Sequence, residues 1–269
     1  MDAFTAWTAQ DTAGRIAVPD HDDDKYSRGV LGVISGSLMY PGAAVLGVEA
    51  ALHTGVGMVR YLGPPRAADL VLQRRPEAVT SAGRVQAWLM GSGMDYIARD
   101  SLEQMVAALA QPVAVVLDGG ALDLYSRAAG PVIVTPHYRE LARLLGVERA
   151  AVAADPATWA RTAADDLGVT VLLKGHTTYI AGPGISLRAA AAPTWLATAG
   201  AGDALAGILG ALVATHAQQI QDDPAELARL AATAAVLHGL AAHRASSGGP
   251  FTILGLTAAV PATIADLLC

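Results

Sequence analysis

Short apolar runs closed by glycine or a polar residue alternate along this chain with longer stretches whose small and apolar residues recur at helical spacing. Residues 29–35 form such a run, ending in a Gly/Ser turn, as expected of a strand buried on both faces. The loop 35–42 follows, Pro41 opens a helix whose pattern runs over 43–53, residues 54–57 end it, and 58–62 reads as a second strand. The rhythm repeats: strands are predicted at 85–90, 113–117, 131–135 and 169–174, with helices at 100–110, 139–145 and 156–167. That order predicts an α/β three-layer fold, a mainly parallel sheet with helices on both faces. Past Lys174 the period changes. Residues 177–181 and 185–189, split by Gly182-Pro183-Gly184, predict a small antiparallel hairpin, and helices are expected from the Gly200 loop, over 224–245 and over 256–268. Residues 1–28 are expected to be an irregular lead-in, with the acidic run 20–24 a solvated loop and 63–66 a turn.

Composition narrows the partners. At 269 residues and 53% hydrophobic, the chain has enough apolar surface for one large domain, and no long Pro/Gly/Ser linker divides residues 1–269. A formal net charge of -6 with scattered bases excludes the electrostatic footprint of a nucleic-acid binder. The apolar stretch 204–214, about a dozen residues, is too short to span a bilayer and reads as a buried helix. Cys269 is the single cysteine, so no internal disulfide or zinc site is expected, and with no apolar leader near the start the expected setting is cytoplasmic.

In an open parallel sheet, ligands bind outside the carboxyl ends of the strands, and polar residues recur there: Ser35-Gly36, Gly91-Ser92-Gly93, Asp118, His137 and Lys174. Turn chemistry alone accounts for the glycines and Asp118. Lys174-Gly175-His176-Thr177-Thr178 places a cation and two hydroxyls where they suit nucleotide phosphate or ribose oxygens, or else a surface hairpin. His137 either orients a substrate or caps the following helix, and Glu140 is expected to pair with Arg143, with a metal-phosphate contact as the alternative. His53, His238 and His243 read as packing or surface residues, and Trp195 as core. The densest signal is Thr198-Ala199-Gly200-Ala201-Gly202-Asp203. A helix start this poor in side chains brings N–H groups up to an anion at the positive end of the helix dipole, and Asp203 in its first turn can cap the helix or act as a general base. Walker A, G-x-G-x-x-G and G-x-S-x-G patterns are absent from the sequence.

The set Y-P-G-A-A (Tyr40 to Ala44), G-S-G (Gly91 to Gly93), V-L-D (Val116 to Asp118), T-P-H-x-x-E-L-A-x-L-L-G (Thr135 to Gly146), L-K-G-x-x-T (Leu173 to Thr178) and A-T-A-G-A-G-D-A-L-A-G-I (Ala197 to Ile208) resembles the ADP/ATP-dependent NAD(P)H-hydrate dehydratases of the ribokinase-like superfamily. Order and spacing fit from about Lys25 onward. G-A-G-D is common to all ribokinase-like kinases, whereas T-P-H-x-x-E with K-G-x-x-T and Y-P-G-A-A is more specific. The chain departs from the family's D-A-D at Asp118-Gly119-Gly120, from H-P-G-E at His137-Tyr138-Arg139-Glu140 and from N-P-G-M at Pro193-Thr194-Trp195-Leu196.

The resemblance implies an enzyme that dehydrates the (6S) hydrate of NADH or NADPH while ADP or ATP loses a phosphoryl group, with magnesium. By matching position, Asp203 is implied as the base. Gly200, Ala201 and Gly202 would form the anion hole, Lys174 to Thr178 and Gly202 the nucleotide contacts, and Ala43, Gly93, His137 and Asp203 the contacts to the hydrate. Glu140 is the implied metal contact. Homo-oligomeric assembly, to a tetramer or larger, and a functional link to a separate epimerase are implied too, the chain being too short to carry that domain. The alternatives are a ribokinase-like kinase of a small vitamin-type alcohol and an inactive nucleotide-binding relative.

Overall fold

The computed structural model describes residues 3–94, 98–190 and 192–269. In chain order the elements are β1 (Thr5–Ala6), α1 (Ala9–Ala13), β2 (Val30–Ile34), α2 (Pro41–His53), β3 (Met58–Tyr61), α3 (Pro65–Arg74), β4 (Ala87–Met90), α4 (Arg99–Leu109), β5 (Ala114–Leu117), β6 (Val132–Val134), α5 (Tyr138–Leu145), α6 (Arg149–Ala154), α7 (Pro156–Leu167), β7 (Thr170–Leu173), β8 (Thr178–Gly182), β9 (Ile185–Ala189), α8 (Ala201–Thr215), α9 (Ala217–Asp222), α10 (Glu226–Ser246) and α11 (Ile253–Leu268). Short 3-10 segments span Gly119–Arg127 and Thr194–Leu196. The described strands form one nine-stranded sheet in the order β1-β9-β8-β7-β6-β5-β4-β2-β3. All neighbours are parallel except around β8, which runs against both β7 and β9.

Successive residues of a strand face opposite sides of the sheet, and both sides here are apolar. Leu31, Val33, Leu89, Val116 and Leu172 join a core with α2, α3, α8, α10 and α11. Their neighbours Val30, Ile34, Trp88, Met90, Leu117 and Leu173 join a second core with α4, α5, α6 and α7. The continuous apolar runs of the central strands follow from this double coverage, and the expected three layers and hairpin are both present. Within α8, residues 204–214 are all buried, as their composition implies.

Three expectations are corrected. Part of the lead-in is ordered: β1 adds to the edge of the sheet beside β9, Thr8 and Asp11 close a capping box on α1, and the Trp7 indole N–H donates to the Thr233 hydroxyl of α10 at 3.2 Å. Residues 63–66 turn only briefly, because Pro65 sits at the first position of α3, where a missing N–H carries no penalty. Trp195 is half exposed rather than core. The short α6 and α9 have too few turns to show a period. The acidic run 20–24 is exposed as expected, its Asp23 and Asp24 carboxylates accepting local backbone N–H groups.

Candidate active site

The hydrogen-bond ladder of the sheet continues past the strand ends, and this draws the candidate residues together. The Gly91 N–H donates to the Ile34 carbonyl at 3.0 Å, Asp118 to Met90 at 2.9 Å, Thr135 to Leu117 at 3.0 Å and Lys174 to Pro136 at 2.8 Å. His137 and Lys174 are bridged in parallel register just beyond β6 and β7.

Asp118 anchors this row. It is 5% exposed, and its Oδ1 accepts from Lys174 Nζ at 2.7 Å and from the Thr135 hydroxyl at 2.7 Å, while Oδ2 accepts from the Ser92 hydroxyl at 2.9 Å. Burial alone raises a carboxyl pKa. The adjacent Lys174 charge and these three hydrogen bonds outweigh it, so Asp118 is held below the usual carboxylate range. Burial also works against the Lys174 charge, but Asp118, Glu140 and Asp203 around it push the ammonium upward. Lys174 is therefore a fixed, largely covered cation, not an exposed hairpin lysine.

Opposite Lys174, α8 begins at Gly200, whose φ of 91° lies in the left-handed region. No side chain caps this helix. The Ala201 N–H reaches the Thr198 carbonyl at 3.3 Å, a long bond, and the N–H groups of Gly202 and Asp203 have no intrahelical acceptor. Gly202 faces the ammonium closely enough that a Cβ there would lie 3.6 Å from Lys174 Nζ. Asp203 is half-buried; desolvation and the neighbouring Asp118 push its pKa up to about 6 despite the Lys174 charge. A carboxylate with a pKa near neutrality is suited to accept and release a proton.

A cavity of about 170 Å³ lies between these elements, lined by Lys174, Gly175, His176 and Thr178 on one side and by Ala201 and Gly202 on the other. Thr177, between them in sequence, does not line it. Ala235 and His238 of α10 close the wall. Next to α2, Gly93 (φ 68°) meets Ala43 so closely that a Cβ on the glycine would overlap the alanine's. Gly47, one helical turn after Ala43, faces the Asp203 carbonyl. His137 caps α5: its Nδ1 accepts from the Glu140 N–H at 3.1 Å, and Glu140 Oε2 accepts from the His137 N–H at 2.7 Å. With Nδ1 accepting, Nε2 carries the proton of the neutral ring. The expected Glu140 to Arg143 pair is corrected. The capping box holds Glu140, and Arg143 pairs with Asp123 instead, at 2.5 Å.

A family model described as NAD(P)H-hydrate dehydratase matches residues 31–255, which include every residue described above. The chain belongs to this family. It is 44% identical over 220 residues to the bifunctional NAD(P)H-hydrate repair enzyme of Mycobacterium tuberculosis, a match covering 77% of this chain and 45% of that protein. The chain thus spans about half the length of such relatives. It is 34% identical over 213 residues to the ADP-dependent (S)-NAD(P)H-hydrate dehydratase of Neisseria meningitidis, covering 72% of each. Among solved structures, the ADP/ATP-dependent NAD(P)H-hydrate dehydratase of Bacillus subtilis, co-crystallised with ATP and magnesium, superposes with a TM-score of 0.87 at 26% identity, covering 98% of this chain and 99% of that one.

Several members of the site are not evident from residue type alone. Thr135 and Ser92 sit one or two residues past strand ends, where hydroxyls are ordinary turn residues, and only the fold aims both at Asp118. His238 falls in a helical stripe with Ala231, Ala235 and Ala242, a spacing that signals packing and says nothing of a cavity.

Proposed function

We propose that this chain dehydrates hydrated NADH or NADPH in two stages, using ADP or ATP as phosphoryl donor. Hydroxide is a poor leaving group. Asp203 takes the proton of the hydrate hydroxyl, that oxygen attacks the terminal phosphorus of the nucleotide, and AMP or ADP departs. Loss of phosphate from the carbon, together with a proton from the neighbouring ring carbon to solvent, then restores the ring double bond, so the balance is hydrate plus ADP giving NAD(P)H, AMP and phosphate. The observation that carries this reading is the opposition, across one site, of a half-buried Asp203 and the fixed Lys174 cation, with open helix N–H groups between them. Gly200, Ala201 and Gly202 form the anion hole for the transferred group, the Ala201 donor exchanging its long bond for a better acceptor. Lys174, Gly175, His176 and Thr178, which line the cavity, hold the nucleotide, Thr177 between them taking no part in the lining, and Ala43, Gly93 and His137 hold the hydrate.

Among the described residues no three His, Cys, Asp or Glu side chains converge into a metal cage. This fits magnesium, which keeps waters and binds through substrate phosphates with one or two carboxylates. Glu140 is the carboxylate assigned to it, and its chemistry is neutralisation of phosphate charge. No helix among the described residues is long and apolar enough to cross a membrane.

Freshly prepared hydrate should be incubated with the protein, magnesium and each nucleotide in turn. Recovery of the nicotinamide absorbance band with equal phosphate release is expected. A stable phosphorylated alcohol, or no turnover of hydrate by a protein that binds ADP, contradicts the proposal and favours the kinase or inactive reading.

A further inference from the structure

His238 lies in the middle of α10 with 5% of its surface exposed, and its Nε2 is buried without a hydrogen-bond partner. The surrounding α10 residues Ala231, Ala232, Ala234, Ala241 and Ala242 are fully buried small side chains, so the helix itself offers the ring no polar company. The residue also lines the cavity between Lys174, Thr178 and Gly202. Buried polar atoms in folded proteins are almost always paired, and an orphan is tolerated where something outside the chain completes it. We propose that His238 is a contact residue of the nucleotide pocket, its Nε2 completed by a polar group of the bound adenine nucleotide. This rests on the nucleotide reading of the cavity given above.

Two further observations agree. Desolvation drives the ring's pKa down to about 4, although the Ala201 backbone beside it favours the charged form, so the imidazole is neutral at physiological pH. A neutral ring offers a hydrogen bond to a sugar hydroxyl or base nitrogen without adding a charge to a cavity already served by Lys174. Ala201 is also the first residue of α8, so the ring touches both the cavity and the turn that carries the anion donors.

The test uses the intact chain and ADP binding measured by titration calorimetry, independent of any dehydration. His238→Phe fills the same space without the nitrogen, and His238→Gln restores a polar end. Weakening of ADP affinity by threefold or more in His238→Phe is expected, about tenfold being typical of one lost hydrogen bond, with recovery in His238→Gln. Affinity within threefold of wild type for His238→Phe overturns the inference. Should that variant fail to fold, ¹⁵N-histidine spectra of the wild-type chain decide: a shifted His238 imidazole signal on adding ADP supports the contact, and an unmoved one overturns it. Wild-type binding of ADP with no hydrate turnover contradicts the proposed reaction and leaves this contact intact.

Discussion

At the residue scale, the site rests on three charged groups whose ionisation is set by burial and by one another. Asp203 is pushed up to about 6 by burial and by Asp118, so the active carboxylate form forms as pH rises through that value. kcat/KM for the hydrate should therefore fall on the acid side with an apparent pKa near this value, and Asp203→Asn should lose at least about a hundredfold in kcat while removing that acid limb. The same shift is a stability cost. A carboxyl whose folded pKa is raised destabilises the fold fully above that pKa and not at all below its unfolded value. Asp203→Asn should thus gain up to roughly 2–3 kcal/mol at about pH 8, a gain that fades by about pH 4, measurable by urea titration at each pH. Lys174 behaves oppositely. Removing it in Lys174→Met strands the buried Asp118 carboxylate, at a cost of about 3–5 kcal/mol in the same titration, and an unchanged midpoint would show that the pair does not hold the strand ends together.

At the element scale, what positions those groups is the sheet's carboxyl edge and the start of α8. Gly200 holds a left-handed φ and packs against Leu46, so Gly200→Ala costs about 1–2 kcal/mol in backbone strain alone and tilts the open donors away from the anion proposed for them. Thermal unfolding should report the loss, and the KM for nucleotide should rise roughly tenfold with it. The strands and long helices are legible because both faces of the sheet are covered, which leaves unmistakable apolar runs, and because Gly, Asp and Lys punctuate the strand ends. The short β1, α6 and α9 are not, since a turn or so of helix or two residues of strand carry no period, and neither is the ten-residue α3, whose two opening prolines read as a turn. An aromatic residue beside a glycine loop suggests core, but that loop is exposed and carries Trp195 out with it. Glu140 has the right spacing to Arg143, but its first-turn carboxylate accepts the backbone N–H of its own cap.

At the scale of the whole molecule, the fold brings β2, β4, β5, β6 and β7 to one edge and sets α2, α8 and α10 against them, so that the cavity between Lys174 and Gly202 opens at the start of α8 and Gly47 of α2 faces the Asp203 carbonyl. Sequence motifs named these places, and only the three-layer packing shows that Asp118, Ser92 and Thr135 form the base on which Lys174 stands. The proposed reaction requires that the hydrate's own oxygen leave in the phosphate. Hydrate prepared in ¹⁸O-water carries the label on its hydroxyl, and the phosphate released during turnover with ADP can be read by mass spectrometry. One ¹⁸O per phosphate is the expected result. Unlabelled phosphate, with the ¹⁸O found in water, would contradict phosphorylation of the hydroxyl and with it the role assigned to Asp203.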